Sequence, residues 1–198
     1  MGKLIENIDK LYTAEMGIGR INSNLKVSFA MIEKFEEKMK EYFNLKDVSK
    51  RNKILKELVF NYPKNAKDFF YKAFKKERYL DMKLTAIKGY SFYASEEETE
   101  ILMDKLLELL KKRPKHTPYD YQEYEIMRSK FLMPYLIEKY NYQCFKKFNE
   151  QLEKQYNEMP DVFKNIFSCD ELGNSYNIRD PKEVNESFEK FYEQNRNK

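Results

Sequence analysis

The amino-acid sequence predicts an all-α protein of stacked antiparallel helix pairs, with an irregular helical bundle as the alternative. Helix-breaking residues are scarce, since the 198 residues include only 5 Gly and 6 Pro. Apolar side chains recur at helical spacing along most of the chain, as at Leu80, Leu84 and Ile87. Successive periodic segments are joined by short turns, which is typical of helix hairpins stacked into an α-solenoid.

The first part of the chain predicts two short helices followed by a longer one. Thr13 is placed to cap the second short helix. Ser28 begins the longer helix, which ends near Asn44 and separates an apolar face from a charged one. The predicted apolar face consists of Met31, Ile32, Phe35, Met39 and Tyr42.

Pro63 ends the next predicted helix, because the residue before a proline is excluded from the α region. Ser49 is placed to cap this helix. A further helix is predicted to begin at Asn65, and another near Asp81. The first of these three helices carries an apolar stripe of Ile54, Leu55, Leu58 and Val59.

Ser95 and Glu98 have the spacing of a capping box, in which each side chain accepts a hydrogen bond from the other residue's backbone N–H. They mark the start of a helix that Pro114 prevents from continuing. The predicted helix runs through Ile101, Leu102, Leu106, Leu109 and Leu110.

Pro134 lies inside a long apolar pattern that covers residues 119–140. An internal proline removes one helical hydrogen bond and clashes with the preceding turn, so we expect a kink or break near Phe131. A helix through residues 144–156 and a short helix after Pro160 follow.

The pattern changes at residue 168, where turn-forming residues replace the helical period. Residues 168–180 predict a loop or small hairpin, and Asp180 and Pro181 then begin a last helix. We therefore assign residues 1–167 to a helical-repeat domain. Residues 168–198 are predicted to form a loop plus a C-terminal helix that packs on, or extends from, the same domain.

Charge and hydropathy limit the classes of partner. The formal net charge of +4 comes from 37 basic and 33 acidic residues, which is weak evidence for a polyanionic partner. No stretch reaches the roughly 18 apolar residues that a membrane span requires, and the N-terminus lacks an uninterrupted apolar signal core. We expect a cytoplasmic protein with no membrane partner.

No local motif for catalysis, metal binding or nucleotide binding stands out. His116 is the only histidine, and no cysteine or carboxylate accompanies it at ligand spacing, so it is predicted to lie in a surface loop. We therefore expect no catalytic residue, no metal site and no cofactor. Since active sites assembled from distant residues leave no local motif, enzymatic activity is disfavoured rather than excluded.

The densest aromatic and acidic patch contains Tyr119, Tyr121, Glu123 and Tyr124. Tyrosine offers a rigid contact area with a polar tip, which suits a partner-binding surface. The patch is the predicted site for a protein or peptide partner. The alternative is that these tyrosines pack between helices and leave only their hydroxyl groups at the rim.

A basic set formed by Lys72, Lys75, Lys76 and Arg78 is interleaved with aromatic residues. Such a set contacts nucleic-acid phosphates if the fold presents it on a concave face. The alternative is an ordinary solvated helix face.

The segment around Asp81 also carries a resemblance to a known class of proteins. Asp81 lies at a predicted inter-helix turn, Lys83 follows it, and Ala86-Ile87 pack inward. Over residues 62–157 the chain resembles the HEAT-like or armadillo-type α-helical repeats of a bacterial family, although Gly89 inside the helix departs from their pattern.

The resemblance implies a curved scaffold that binds a protein or peptide partner without catalysis. A regulatory or immunity protein that blocks its partner fits this description. The alternative is a nucleic-acid-binding protein related to the HEAT-like glycosylases of alkylated DNA.

Overall fold

The computed structural model describes residues 32–113 and 120–196. The predicted short N-terminal helices, His116 and Tyr119 lie outside these residues. The described residues belong to two units, which divide between Lys46 and Asp47. In the first unit residues 32–44 are helical and form α1, which confirms the described part of the helix predicted to end near Asn44.

The second unit contains helices and one small hairpin, so the predicted all-α fold class is confirmed. Its hairpin is the one predicted after residue 167, and its two short strands pair antiparallel. In chain order the elements are α2 (Val48–Asn61), α3 (Lys67–Lys76), α4 (Leu80–Tyr90), α5 (Glu96–Lys111), α6 (Asp120–Arg128), α7 (Met133–Tyr140), α8 (Gln143–Glu158), a 3-10 turn (Asp161–Phe163), β1 (Phe167–Cys169), β2 (Ser175–Asn177) and α9 (Pro181–Asn195).

Two helix starts show how local chemistry sets the boundaries. The capping box of α5 is confirmed, since the Glu98 backbone N–H donates to Ser95 Oγ at 3.3 Å and the Ser95 N–H donates to Glu98 Oε2 at 2.9 Å. The prediction that Ser49 caps α2 is wrong, because Asp47 accepts from the Lys50 N–H and places Ser49 inside the helix.

The predicted break near Phe131 is also confirmed. Helix α6 ends at Arg128 and α7 begins at Met133, so Pro134 falls in the first turn of α7. A proline is tolerated there, because the N–H groups of the first turn have no helical acceptor in any case.

Helix α4 forms the centre of the second unit. Every one of its residues except Lys88 is buried, and it packs against α2, α3, α5 and α6. A helix buried on all sides is typical of the middle of a bundle, whereas a solenoid helix keeps one side toward solvent. The arrangement favours the irregular-bundle alternative, and the solenoid stays a prediction.

The helix predicted through residues 101–110 is confirmed as part of α5, but two of its apolar side chains lie largely in solvent. Ile101 is 56% exposed and Leu109 is 41% exposed. The apolar pattern of this helix is wider than the arc that its neighbours α4 and α8 cover, so its two edges remain in solvent. The residues that are buried on α5 are Thr99, Leu102, Met103, Leu106 and Leu110.

Glu125 fixes the hairpin to the helices from inside the protein. Its carboxylate accepts hydrogen bonds from the backbone N–H groups of Ile166 and Phe167 at 2.8 and 2.6 Å, and from that of Asn165. The hydroxyl of Tyr156 donates to the same carboxylate at 2.8 Å. Four donors thus surround one buried side chain, which ties α6 and α8 to the start of β1.

Gly89 of α4 packs directly against the ring of Phe70 on α3. A Cβ atom at this position would lie 2.6 Å from Cζ of Phe70 and closer still to two other atoms of that ring. Phe70 is fully buried and has no room to retreat. Glycine is required here by contact with another side chain and not by its backbone conformation.

We therefore expect Gly89→Ala to lower the free energy of unfolding by about 1–3 kcal/mol through overpacking. In an uncrowded helix interior the same change raises stability by about 1 kcal/mol. Urea unfolding of Gly89→Ala, Phe70→Leu and the double variant measures the coupling. Phe70→Leu should lower the free energy of unfolding less in the Gly89→Ala background than in the wild-type protein. Additive effects of the two substitutions would contradict the contact.

We expect Glu125→Gln to destabilise the protein by at least about 2 kcal/mol, because an amide cannot accept from all four donors. Urea unfolding gives the total cost, and hydrogen exchange of the Ile166 and Phe167 amides shows where protection is lost. The matched control is Glu153→Gln, which removes a half-exposed ion pair with Arg128 and should cost less than about 1 kcal/mol. Equal costs at the two positions would contradict the anchoring role.

Candidate functional site

An open groove of about 480 Å³ runs between α3, the end of α4 and the first turns of α5. Its volume falls within the roughly 300–1,000 Å³ that is usual for ligand sites. The residues that line this α3–α5 groove are Lys67, Asp68, Tyr71, Tyr90, Glu98, Ile101 and Leu102.

An ion pair joins the two walls of the groove. Lys67 Nζ lies 2.7 Å from both carboxylate oxygens of Glu98. This hydrogen bond raises the pKa of Lys67 and lowers that of Glu98, so both groups stay charged near neutral pH. Glu98 also belongs to the capping box with Ser95. The ion pair therefore links the first turn of α3 to the first turn of α5.

Two tyrosine rings form the floor of the groove. The centroids of Tyr71 and Tyr90 are 6.2 Å apart, with 38° between the ring planes. Lys75 Nζ lies 4.3 Å from the centroid of Tyr71. Its hydrogen bond to the hydroxyl, together with the positive charge of Lys105, lowers the pKa of Tyr71.

Ile101 supplies the apolar wall of the groove. Its exposed side chain stands beside the buried Leu102, so the groove offers an apolar contact next to two aromatic rings. In the sequence Ile101 is one of several apolar residues of this predicted helix. Periodicity alone could not separate a position at the edge of the buried arc from one at its centre.

The described residues of the predicted tyrosine patch lie inside the second unit and not on its surface. Tyr121 and Tyr124 are buried, and Tyr121 stacks between Phe163 and Phe167 at centroid distances of 5.8 Å from each. These residues therefore match the packing alternative and leave little area for a partner. Large aromatic side chains on a buried helix contribute mainly to the packing of the core.

Glu123 of the same patch is also buried. Its carboxylate accepts from Arg113 Nη2 at 2.6 Å and from the Leu80 backbone N–H at 3.2 Å. The second bond places a negative charge at the N-terminus of α4, where the helix dipole favours it. Glu123 thus anchors the central helix, and the expected surface role is replaced by a structural one.

The four residues of the predicted basic set are exposed, and those with described contacts touch different groups. Lys72 pairs with Asp68 at 2.6 Å, and Lys75 lies over Tyr71. Lys76 and Arg78 are exposed, and none of the four lines the groove. Since Tyr121 and Tyr124 are buried, the basic set shares no exposed concavity with them. Nucleic-acid binding stays a prediction.

Comparison of the chain with protein-family models, curated proteins and solved structures found no match. Among the helices of the described ranges, none combines the length and the apolar character needed to cross a membrane.

Proposed function

We propose that the protein is a non-catalytic interaction module that binds a peptide segment of a protein partner in the α3–α5 groove. The observation that carries this proposal is the exposed Ile101 beside the rings of Tyr71 and Tyr90 in an open groove. Rigid aromatic side chains next to an apolar wall are the usual anchors of such contacts.

The charges around the groove favour an acidic peptide with one large apolar side chain. Lys67 lines the groove and is already paired with Glu98, and Lys72, which lies outside the lining, is paired with Asp68. Lys75 faces the Tyr71 ring and no carboxylate contact is among its described interactions. A carboxylate of the peptide would accept hydrogen bonds from Lys75 and from the Tyr71 hydroxyl. The neighbouring apolar side chain of the peptide would contact Ile101.

The groove needs little rearrangement to bind. The Lys67–Glu98 ion pair and the capping box set the distance between its walls before any ligand arrives. A preformed site loses less conformational entropy on binding than a surface that must first become ordered. This favours a rigid binding module over a segment that folds on its partner.

The apolar contact is tested with peptides selected from a random library on the intact protein and titrated by calorimetry. Ile101→Asp should weaken the selected peptides more than about tenfold, because it places a charge against their apolar anchor. Leu109→Asp is the control, since Leu109 is an exposed apolar residue of the same helix outside the groove. Equal losses in the two variants, or no selected peptide, would count against the groove.

The charge contact is tested with the same peptides at several salt concentrations. Lys75→Gln should weaken acidic peptides and reduce the salt dependence of their binding. Lys72→Gln is the matched control, because Lys72 is already paired with Asp68 on the same helix. Titration with duplex and single-stranded DNA tests the alternative, for which a steep loss of affinity with salt is expected. The regulatory role and the cytoplasmic location stay predictions.

A further inference from the structure

Hydrogen bonds at the two ends of the β1–β2 hairpin show which way its backbone groups point. The Ile178 backbone N–H donates to the Ile166 carbonyl at 2.8 Å, and the Asp170 N–H donates to the Asn174 carbonyl at 3.0 Å. Strands in an antiparallel pair exchange such bonds at every second residue. The even-numbered residues of the hairpin therefore direct their N–H and C=O groups toward the opposite strand, and the odd-numbered residues direct theirs outward.

The outward groups of β1 have a partner in the protein, whereas those of β2 do not. The Phe167 N–H donates to Glu125 Oε2 on α6 at 2.6 Å. Ser175 and Asn177 are the outward residues of β2, and both are exposed. Among the described residues, no group accepts a hydrogen bond from either of their N–H groups. β2 is therefore an open sheet edge, which can form a backbone ladder with another strand.

The open edge lacks the features that usually prevent edge strands from pairing. Natural edge strands often carry a proline, a lysine or a β-bulge. Residues 174–178 contain no proline and no charged side chain, and β2 pairs with β1 without an extra residue. Tyr176 and Ile178 are 54% and 58% exposed, and their spacing places them on one face of the strand. Exposed apolar side chains beside free N–H groups favour pairing with a further strand.

The edge of β2 is complementary to itself. It has one outward residue on each side of Tyr176, so a two-fold axis at Tyr176 places Ser175 of each copy opposite Asn177 of the other. Because both residues point outward, each of these pairs can exchange both of its hydrogen bonds. The two Tyr176 side chains then face each other across the axis, where an aromatic pair is favourable.

The charges on either side of β2 agree with antiparallel pairing of two copies. Glu171 lies in the turn before β2 and Arg179 follows the strand, and neither has an ion-pair partner among the described residues. Antiparallel pairing brings the end of one β2 beside the start of the other, so Arg179 of each copy approaches Glu171 of its partner. Asp180, the acidic neighbour of Arg179, already accepts from the Lys182 N–H at the start of α9.

We propose that β2 pairs antiparallel with β2 of a second copy of this chain and joins the two hairpins into one continuous sheet. β2 has three residues, so the interface is small, and small interfaces are typical of weak, transient association. The expected result is reversible dimerisation with a Kd of about 10 μM to 1 mM. This inference does not depend on the proposed function, because no residue of the hairpin lines the α3–α5 groove.

Sedimentation of the intact protein over a range of concentrations tests the dimer. Tyr176→Lys should raise the Kd at least about tenfold, because it places two like charges directly opposite each other. Tyr79→Lys is the matched control and should leave the Kd unchanged, since Tyr79 is a tyrosine outside the hairpin with a similar exposure of 46%. A wild-type protein that stays monomeric up to about 1 mM, or equal Kd values for the two variants, would overturn the proposal.

The register is tested by a disulfide at the two-fold axis. Residues opposite each other in a non-hydrogen-bonded pair have Cα atoms about 4.5 Å apart, which a disulfide can span. Tyr176→Cys should form a covalent dimer with oxidised glutathione, which is reduced as the two thiols are oxidised. The native Cys144 and Cys169 are buried and should not compete. If Tyr79→Cys forms a covalent dimer as fast as Tyr176→Cys, the interface is not at β2.

Hydrogen exchange at low and high protein concentration shows which amides the dimer protects. The Ser175 and Asn177 amides should become protected as the concentration rises, whereas the Tyr176 amide, which points toward β1, should change little. A peptide of another protein would protect the same two amides only when that peptide is added. Ser175 and Asn177 amides whose exchange does not depend on protein concentration would therefore rule out a second copy as the partner.

Discussion

The close contact between Gly89 and the ring of Phe70 is the constraint on which the other features of the second unit depend. It lets the ring of Phe70 on α3 lie directly against the backbone of α4, and this close packing helps to bury α4 on all sides. A larger residue at position 89 would change the spacing of two helices and the position of everything that follows the second.

Burial of α4 requires that the charges around it be compensated one by one. The guanidinium of Arg51 makes two hydrogen bonds with the carboxylate of Glu77, at 2.7 and 3.0 Å, and Lys83 Nζ donates to the Phe74 carbonyl at 2.6 Å. Such pairs stabilise little beyond their own desolvation cost, but removing one partner leaves a buried charge that is costly. They therefore specify which helix faces meet, while the apolar residues supply most of the driving force.

Local chemistry made much of this fold predictable, and tertiary contacts account for the rest. Ser95, Pro134 and the turn residues after 168 act within a few residues of themselves, so their effects on helix ends could be predicted. The roles of Glu123 and Glu125 depend on donors about 40 residues away, at Leu80 and at Ile166. Neither periodicity nor composition indicates which residues that far apart in the sequence will be in contact. For this reason the sequence left open whether the tyrosine patch is exposed or packs between helices, and the structure buries Tyr121 and Tyr124.

The α3–α5 groove has its structural origin at the end of α4. Tyr90, the last residue of α4, lines the groove, and the buried ring of Phe70 packs on Gly89 immediately before it. The Phe70 ring also stacks with Tyr93 at a centroid distance of 6.2 Å. The groove is thus attached to the buried contact between α3 and α4, where a side chain of a ligand meets rings already in place. A site held in this way loses little entropy on binding, so its selectivity depends on charge and size.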